Sequence, residues 1–125
     1  MKPYYSKKAE VGDIIDVYES LHQKQTIGSY DNNAEFNDWK IRDLKGLEFV
    51  VERTAMKGGG TGHGGYDTYP DGWHVEARAL DKNGTYDPGK KTIGFYQDGF
   101  FLNMIEEVKV IGKMKMGFER IGGRK

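Results

Sequence analysis

Two histidines and two aspartates near the middle of the chain have the side chains best suited to chemistry. His63, Asp67, Asp71 and His74 follow the spacing H-x3-D…D-x2-H, and two imidazoles with a carboxylate can hold a zinc or iron ion. Metal ligands need rigid supports, however, and His63 stands among glycines. The competing interpretations are an exposed loop residue for His63 and a solvent-facing strand residue for His74. His63, Asp67 and His74 are therefore the candidate metal ligands.

These residues lie in or beside a glycine-rich segment, residues 57–72, which holds seven of the 18 glycines of the chain. Glycines can bring backbone N–H groups close to a phosphate, but in phosphate-binding loops a helix follows the glycines. Here the turn sequence Tyr69-Pro70-Asp71-Gly72 is followed by a strand pattern. No G-x-S-x-G motif surrounds a serine, so the sequence also disfavours a hydrolase nucleophile.

A binding loop is the interpretation that the same segment favours. Connections of this length are uncommon in compact domains unless they are functional or disordered. We expect residues 57–65 to act as a glycine hinge and residues 66–73 to form an aromatic tip, because Tyr and Trp supply large contact areas at low entropic cost. The alternative is that these rings fold back onto the core. The predicted partner-binding residues are Gly60, His63, Tyr66, Tyr69 and Trp73.

Composition narrows the function classes. The 19 basic and 19 acidic residues cancel, whereas dedicated duplex-binding domains are usually basic. The absence of cysteine excludes disulfides, thiolate metal sites and cysteine nucleophiles. The N-terminal sequence lacks the apolar region of a secretory signal, and no window approaches 18 consecutive apolar residues. These features predict a cytoplasmic protein with no membrane segment and no cofactor.

The basic charge is concentrated at the C-terminal end. Residues 108–125 carry six basic residues and one acidic residue. Together with the tyrosines at positions 4 and 5, they could bind single-stranded nucleic acid, since bases stack on aromatic rings and cations neutralise phosphates. A solvated tail is the competing interpretation. The nucleic-acid candidates are Lys113, Lys115, Arg120 and Arg124.

The hydrophobic pattern predicts an all-β protein with at most one short helical turn. Alternation of apolar and polar residues, bounded by turn signals, indicates strands. They are expected at residues 11–20, 44–56, 72–80, 91–97 and 104–114. Leu47, Phe49, Val51, Val75 and Val110 are expected in the core. We predict a single domain over residues 1–125, with a core barrel over about 11–112 and a basic tail at 113–125.

The order of these strands and turns resembles that of SH3-like small β-barrels. "VGDIIDVYES" resembles the first strand, "LKGLEFVVER" the second, "WHVEARAL" the third and "KTIGFYQ" the fourth, while "FFLNMIEEVKVIG" resembles the closing turn and strand. In general character the chain also resembles small bacteriophage proteins. The resemblance implies either nucleic-acid binding, as in KOW-type domains, or binding of peptides and proteins. No functional residue of the family is carried over.

Taken together, these features predict a non-catalytic binding or adaptor module. We expect it to recognise a protein, or else nucleic acid, through the glycine-rich loop and its aromatic tip. A small metal-binding or phosphate-ligand-binding protein, or a hydrolase, that uses His63, Asp67 and His74 is the alternative. The oligomeric state is left open.

Overall fold

β-strands are the predominant secondary structure of the residues that the structure describes, which confirms the predicted mainly-β class. The structure is a computed structural model, and it describes residues 1–23, 31–57, 60–61, 68–69, 71–98, 104–115 and 117–120, with the backbone alone at 60–61, 68–69 and 120. The strands are β1 (Tyr4–Ser6), β2 (Asp13–Asp16), β3 (Glu35–Phe36), β4 (Trp39–Lys40), β5 (Phe49–Lys57), β6 (Gly60–Thr61), β7 (Thr68–Tyr69), β8 (Gly72–Ala79), β9 (Thr92–Tyr96), β10 (Val108–Lys115) and β11 (Glu119–Arg120).

Two short helical segments interrupt the strands, one more than the sequence predicted. They are the helix α1 (Val17–His22) and a 3-10 helix (Ile41–Leu44). No helix in the described residues is long and apolar enough to cross a membrane.

One antiparallel sheet contains all the longer strands, in the order β1-β10-β2-β5-β8-β9, with β11 paired to β10. The strands β2, β5, β8 and β9 are neighbours in the order in which they follow along the chain. The late strand β10 then returns to lie between β1 and β2. The first part of the predicted tail is therefore not an appendage, because Lys113 and Lys115 belong to a strand inside the sheet.

The sheet is not closed into a barrel by backbone pairing in the described residues, since no ladder joins β9 to β1. A side chain connects the two edges instead. Gln97, which follows β9 and is 4% exposed, accepts a hydrogen bond from Ala9 N (2.6 Å) and donates one to Ser6 O (3.0 Å). The sheet is thus open but strongly curved, and the buried amide of Gln97 joins the edge at β9 to the edge at β1.

The core lies on one face of the sheet. Phe49, Val51, Val75 and Val110 are fully buried there, as predicted, while Leu47 is partly buried and packs against them. The helix α1, the β3–β4 hairpin and the 3-10 helix cover this face with Leu21, Phe36, Ile41 and Leu44.

The opposite face carries a second apolar cluster that the sequence pattern did not predict. Val50 alternates with the core residues, yet it is also fully buried, against Ile14, Leu80 and Met114. Tyr86, Ile111 and Phe118 pack around this cluster. The sheet is therefore covered on both faces near its centre, and Val50 does not face solvent as strict alternation would suggest.

The first predicted strand, residues 11–20, is wrong in its second half. β2 ends at Asp16, whose carboxylate accepts a hydrogen bond from Glu19 N (3.0 Å) and so caps α1. Aspartate at the cap with glutamate three residues later is a helix-start signal. Val17 and Leu21, one helical turn apart, then face the core. Burial raises the pKa of the Asp16 carboxyl, against the opposing effect of the capping hydrogen bond.

Residues 35–40 form a β-hairpin. β3 and β4 are joined by Asn37 and Asp38, whose φ angles are 48° and 69°. Two consecutive residues with positive φ fit a tight two-residue turn, and Asn and Asp tolerate this conformation better than other non-glycine residues. Phe36 and Ile41 are buried in the core, and Trp39 is partly buried against it.

A glycine is required at position 12, which lies between β5 and β10 and is hydrogen-bonded to both. Its φ is 95°, its N–H donates to Val51 O (2.9 Å), and its carbonyl accepts from Met114 N (2.7 Å). A Cβ atom here would lie 2.5 Å from Met114 O. We expect Gly12→Ala to lower the free energy of unfolding by about 2–3 kcal/mol, from the left-handed backbone and the steric overlap together.

Chemical denaturation would measure this loss, and Gly46→Ala is the matched control. Gly46 has a φ of 80°, but no atom of the described residues lies within 4 Å of the position that a Cβ atom would occupy there. Its replacement should therefore cost only the backbone part, about 1–2 kcal/mol. Equal losses at the two glycines would contradict the expected overlap with Met114.

Candidate functional site

The predicted glycine-rich connection joins β5 to β8 at the end of a long antiparallel strand pair within the sheet, here called the β5–β8 ribbon. The two strands pair from Phe49 opposite Ala79 to Lys57 opposite Gly72. The pairing resumes between β6 and β7, where Gly60 lies opposite Tyr69. β5 is buried at its start but mostly exposed from Arg53 onward. The end of β5 is therefore exposed, whereas β8 stays paired to β9 as far as His74. β6 and β7 continue the pairing into both the predicted hinge and the predicted tip.

Of the predicted partner-binding residues, Trp73 lies opposite Met56, near the loop end of the β5–β8 pairing. Its indole N–H donates to Ala9 O (2.9 Å), and the Nζ of Lys8 lies 4.5 Å from its ring centroid. Trp73 thus holds the N-terminal segment against the sheet, which agrees with the alternative that aromatic rings of this segment pack on the core. Gly60 and Tyr69 are described only as paired backbone, and His63 and Tyr66 lie outside the described residues.

Of the candidate metal ligands, the structure describes His74 alone, since His63 and Asp67 lie outside the described residues. Among the side chains that are described, no three histidine, aspartate or glutamate residues are grouped so as to hold a metal ion. His74 occupies the outer face of β8, as the alternating pattern predicted. Its ring packs edge-on against Tyr96, with 4.7 Å between ring centroids.

His74 separates two open clefts on this outer face. The first, of about 490 Å³, lies over β9 and the β3–β4 turn. The second, of about 430 Å³, lies over the β5–β8 ribbon. Residues lining the first include Asn37, Asp38, Lys91, Gly94 and Tyr96. Those lining the second include Val11, Arg53, Ala55, Lys57 and Glu76.

The surroundings of His74 lower its pKa below the ordinary value of 6.5. Partial burial is the main cause, and the positive charge of Lys57 adds to it. The imidazole is therefore neutral at pH 7, and we expect an NMR titration of its ring protons to give a pKa below 6.5. A measured pKa at or above 6.5 would contradict this description.

The lowered pKa of His74 makes the stability of the folded protein depend on pH. Because the unfolded chain binds a proton at His74 at higher pH than the folded chain does, stability is fully present above about pH 6.5 and falls as the pH decreases below it. His74→Gln should reduce this decrease, which thermal unfolding at pH 5.5 and pH 7.5 would measure.

Ion pairs form a band across the outer face beside the clefts. Arg78 Nε lies 2.7 Å from a carboxylate oxygen of Glu52, and Tyr86 donates to the other oxygen (2.6 Å). The hydrogen bond to Glu52 is the main cause of a raised pKa at Tyr86. Arg53 and Glu76 form a second pair at 2.5 Å. These groups are engaged with one another, so the band is suited to holding the ribbon in place and to polar contacts with a ligand.

The nucleic-acid candidates are partly neutralised. Lys113 is paired with the buried carboxylate of Asp13, and Lys115 lies 3.2 Å from Glu119. Burial lowers the pKa of Lys113, but the hydrogen bonds to Asp13 and Tyr4 outweigh burial and raise it overall. The side chain of Arg120 and the whole of Arg124 lie outside the described part of the chain.

Comparison with known protein families, with curated proteins and with solved structures found no match. Function must therefore be argued from the geometry of this chain alone.

Sequence reasoning missed the band of ion pairs. It depends on a β-bulge between Val51 and Arg53, which turns Glu52 and Arg53 toward the same face of the sheet. The available signal was the adjacent pair Glu52 and Arg53 after a run of apolar residues. Strict alternation would place these two charges on opposite faces, so that one of them would face the core unless the strand contained a bulge.

Proposed function

We propose that this protein is a non-catalytic binding module that recognises a protein partner through the β5–β8 ribbon. The observation that carries the proposal is the exposure of the end of β5, residues 53–57. Met56 is 54% exposed, and Arg53, Ala55 and Lys57 are exposed on the other face of the same strand. An exposed methionine among polar neighbours is typical of adaptable protein-binding surfaces.

Charge favours a protein over nucleic acid as the partner. The chain has no net charge, and two of the four candidate cations have acidic partners close by. Nucleic-acid affinity comes largely from cations that neutralise phosphates. Single-stranded nucleic acid is therefore the second candidate partner. The metal-dependent alternative depends on His63 and Asp67, outside the described residues.

An SH3-like relationship is part of the same proposal. It is supported by the sheet order, in which four strands follow one another as antiparallel neighbours and the late strand β10 pairs with β2. The contact of both sheet edges with Gln97 also supports a curved, nearly closed arrangement. A small curved sheet of this kind is a common support for binding loops.

Site-specific photo-crosslinking would test the proposal. A photoreactive amino acid replaces Met56 in one variant and Arg42, an exposed residue of the 3-10 helix, in the control variant. Both are expressed in the cells that normally make the protein and are illuminated there. We expect discrete protein adducts from position 56 and none of the same adducts from position 42.

Three results would overturn the proposal, and the first is the absence of protein adducts from position 56. Adducts that are destroyed by nuclease would favour nucleic acid as the partner. Identical adducts from both positions would indicate non-specific contact rather than recognition by the ribbon.

A further inference from the structure

We propose that the free edge of β5, residues 53–57, binds an extended acidic segment of the partner as an additional strand of the sheet. This inference rests on the proposed binding function and names its mode. Binding by strand addition draws affinity from main-chain hydrogen bonds and specificity from alternate side chains.

The free edge arises because β2 covers only the start of β5. β2 pairs with β5 at two positions, Ile14 with Val50 and Ile15 with Phe49. One further hydrogen bond joins Gly12 N to Val51 O (2.9 Å). On its other side, β5 pairs with β8 as far as Lys57. From Arg53 to Lys57, no strand in the described part of the chain pairs with the side that faces away from β8.

The other edges of the sheet are protected by side chains. On β9, Trp39 Nε1 donates to Thr92 O (3.0 Å) and Asn37 donates to Gly94 O. On β1, which is three residues long, Gln97 donates to Ser6 O (3.0 Å). Natural sheets protect their edges because unpaired backbone groups bind other strands. The segment 53–57 differs from these edges in having no such protection among the described residues.

The side chains along this edge define the chemistry of the segment that would bind. Arg53, Ala55 and Lys57 point to the outer face, where they line the cleft of about 430 Å³. The two carboxylates that line the same cleft, those of Glu52 and Glu76, are already paired with arginines. Arg53 already pairs with Glu76 but is 75% exposed, and Lys57 has no ion pair in the described residues. Val11, 56% exposed, also lines this cleft. An extended segment that complements this edge would carry an acidic residue opposite each of the two cations and an apolar residue opposite Ala55.

A second copy of the chain fits this edge less well. Antiparallel pairing of two copies about Ala55 would place Arg53 opposite Lys57 twice. Parallel pairing in register would place each cation beside its own copy. Like charges that lie directly opposite in a sheet are destabilising, so the charges favour an acidic partner over self-association.

Synthetic peptides test the proposal directly. The probe is a fluorescent peptide with the central sequence Glu-Thr-Val-Thr-Glu, and the matched control has Lys-Thr-Val-Thr-Lys. We expect the acidic peptide to bind the full chain and the basic one to bind at least about fivefold more weakly, since an exposed charge contact contributes up to about one factor of five. Hydrogen exchange should slow at amides within residues 53–57 when the acidic peptide is bound.

Two modifications separate main-chain from side-chain recognition. N-methylation of every second peptide amide keeps the side chains but removes hydrogen-bond donors. Two such peptides can be made, one for each set of alternate amides, and we expect at least one of them to bind more than about tenfold more weakly than the unmodified peptide. Lys57→Glu should weaken the acidic peptide about five- to tenfold and strengthen the basic one. Lys82→Glu, in the exposed turn after β8, should leave both affinities unchanged.

Peptide binding that ignores N-methylation, or that leaves exchange at residues 53–57 unaltered, would overturn strand addition. Self-association that protects the same amides without peptide would overturn it in favour of a second copy. If neither peptide binds while the crosslinks from position 56 persist, strand addition fails and the proposed function stands. If those crosslinks are absent as well, both fail.

Discussion

Replacing Lys113 with methionine is expected to lower the free energy of unfolding by about 3–5 kcal/mol, because it leaves a buried carboxylate without its counterion. Asp13 is 2% exposed. One of its oxygens is paired with Lys113, and the other accepts a hydrogen bond from Glu10 N (2.9 Å). The pair joins β2 to β10, just beyond the register shift between Val110 and Gly112. Urea denaturation followed by tryptophan fluorescence would measure the loss.

Lys115→Met is the matched control on the same strand. Lys115 and its partner Glu119 are 60% and 75% exposed, and exposed ion pairs contribute about 0–1 kcal/mol. We also expect the double variant Asp13→Asn, Lys113→Met to be more stable than Lys113→Met alone, since it no longer buries an unpaired charge. Equal stability of the two lysine variants would show that Asp13 does not depend on Lys113.

Phe49→Ala is expected to cost about 3–5 kcal/mol through the cavity it leaves. The ring is fully buried and meets Trp39 edge-on, with 5.4 Å between centroids. Small domains have a total stability of about 5–15 kcal/mol, so the melting temperature should fall clearly. An unchanged melting curve would mean that Phe49 is not a core residue.

A milder substitution tests whether β5 is buried on both faces. Val50→Thr keeps the shape of the side chain but adds a hydroxyl, and burial of that hydroxyl without a partner should cost about 1–3 kcal/mol. Val11→Thr, at an exposed position, should change stability by less than about 0.5 kcal/mol. If Val50→Thr does not change stability, β5 is buried on one face only, as the alternation of its residues suggests.

The sequence predicted the elements whose signals are local. β8 and β9 alternate regularly, and Val75 and Ala77 are buried where the pattern expects them. Val50 was missed because its burial depends on Met114 and Leu80, which are distant in sequence. The strand β1 was missed because a three-residue edge strand beside β10 leaves almost no periodic pattern.

The candidate site was less predictable than the fold for a physical reason. Trp73 was correctly placed at the start of a strand, but its hydrogen bond to Ala9 O spans 64 residues and has no sequence signature. The free edge of β5 lies beyond the start of β2, since the two strands are antiparallel and β2 begins at Asp13, after a turn in which Asp13 N donates to Glu10 O (3.0 Å). Such an edge can be recognised only once the neighbouring strand is known.

The position of β10 in the sheet has a consequence for biosynthesis. Its residues, Val108–Lys115, leave the ribosome after all the other longer strands, yet they pair with both β1 and β2, which are made before those strands. Until they emerge, β2 has β5 as a neighbour but exposes its other side, and β1 lacks the strand that it joins. Because contacts between distant parts of a chain form slowly, the nascent protein presents unpaired strands for most of its synthesis. We therefore expect a chain arrested before residue 108 to bind chaperones that recognise extended apolar segments, and to release them once β10 is complete.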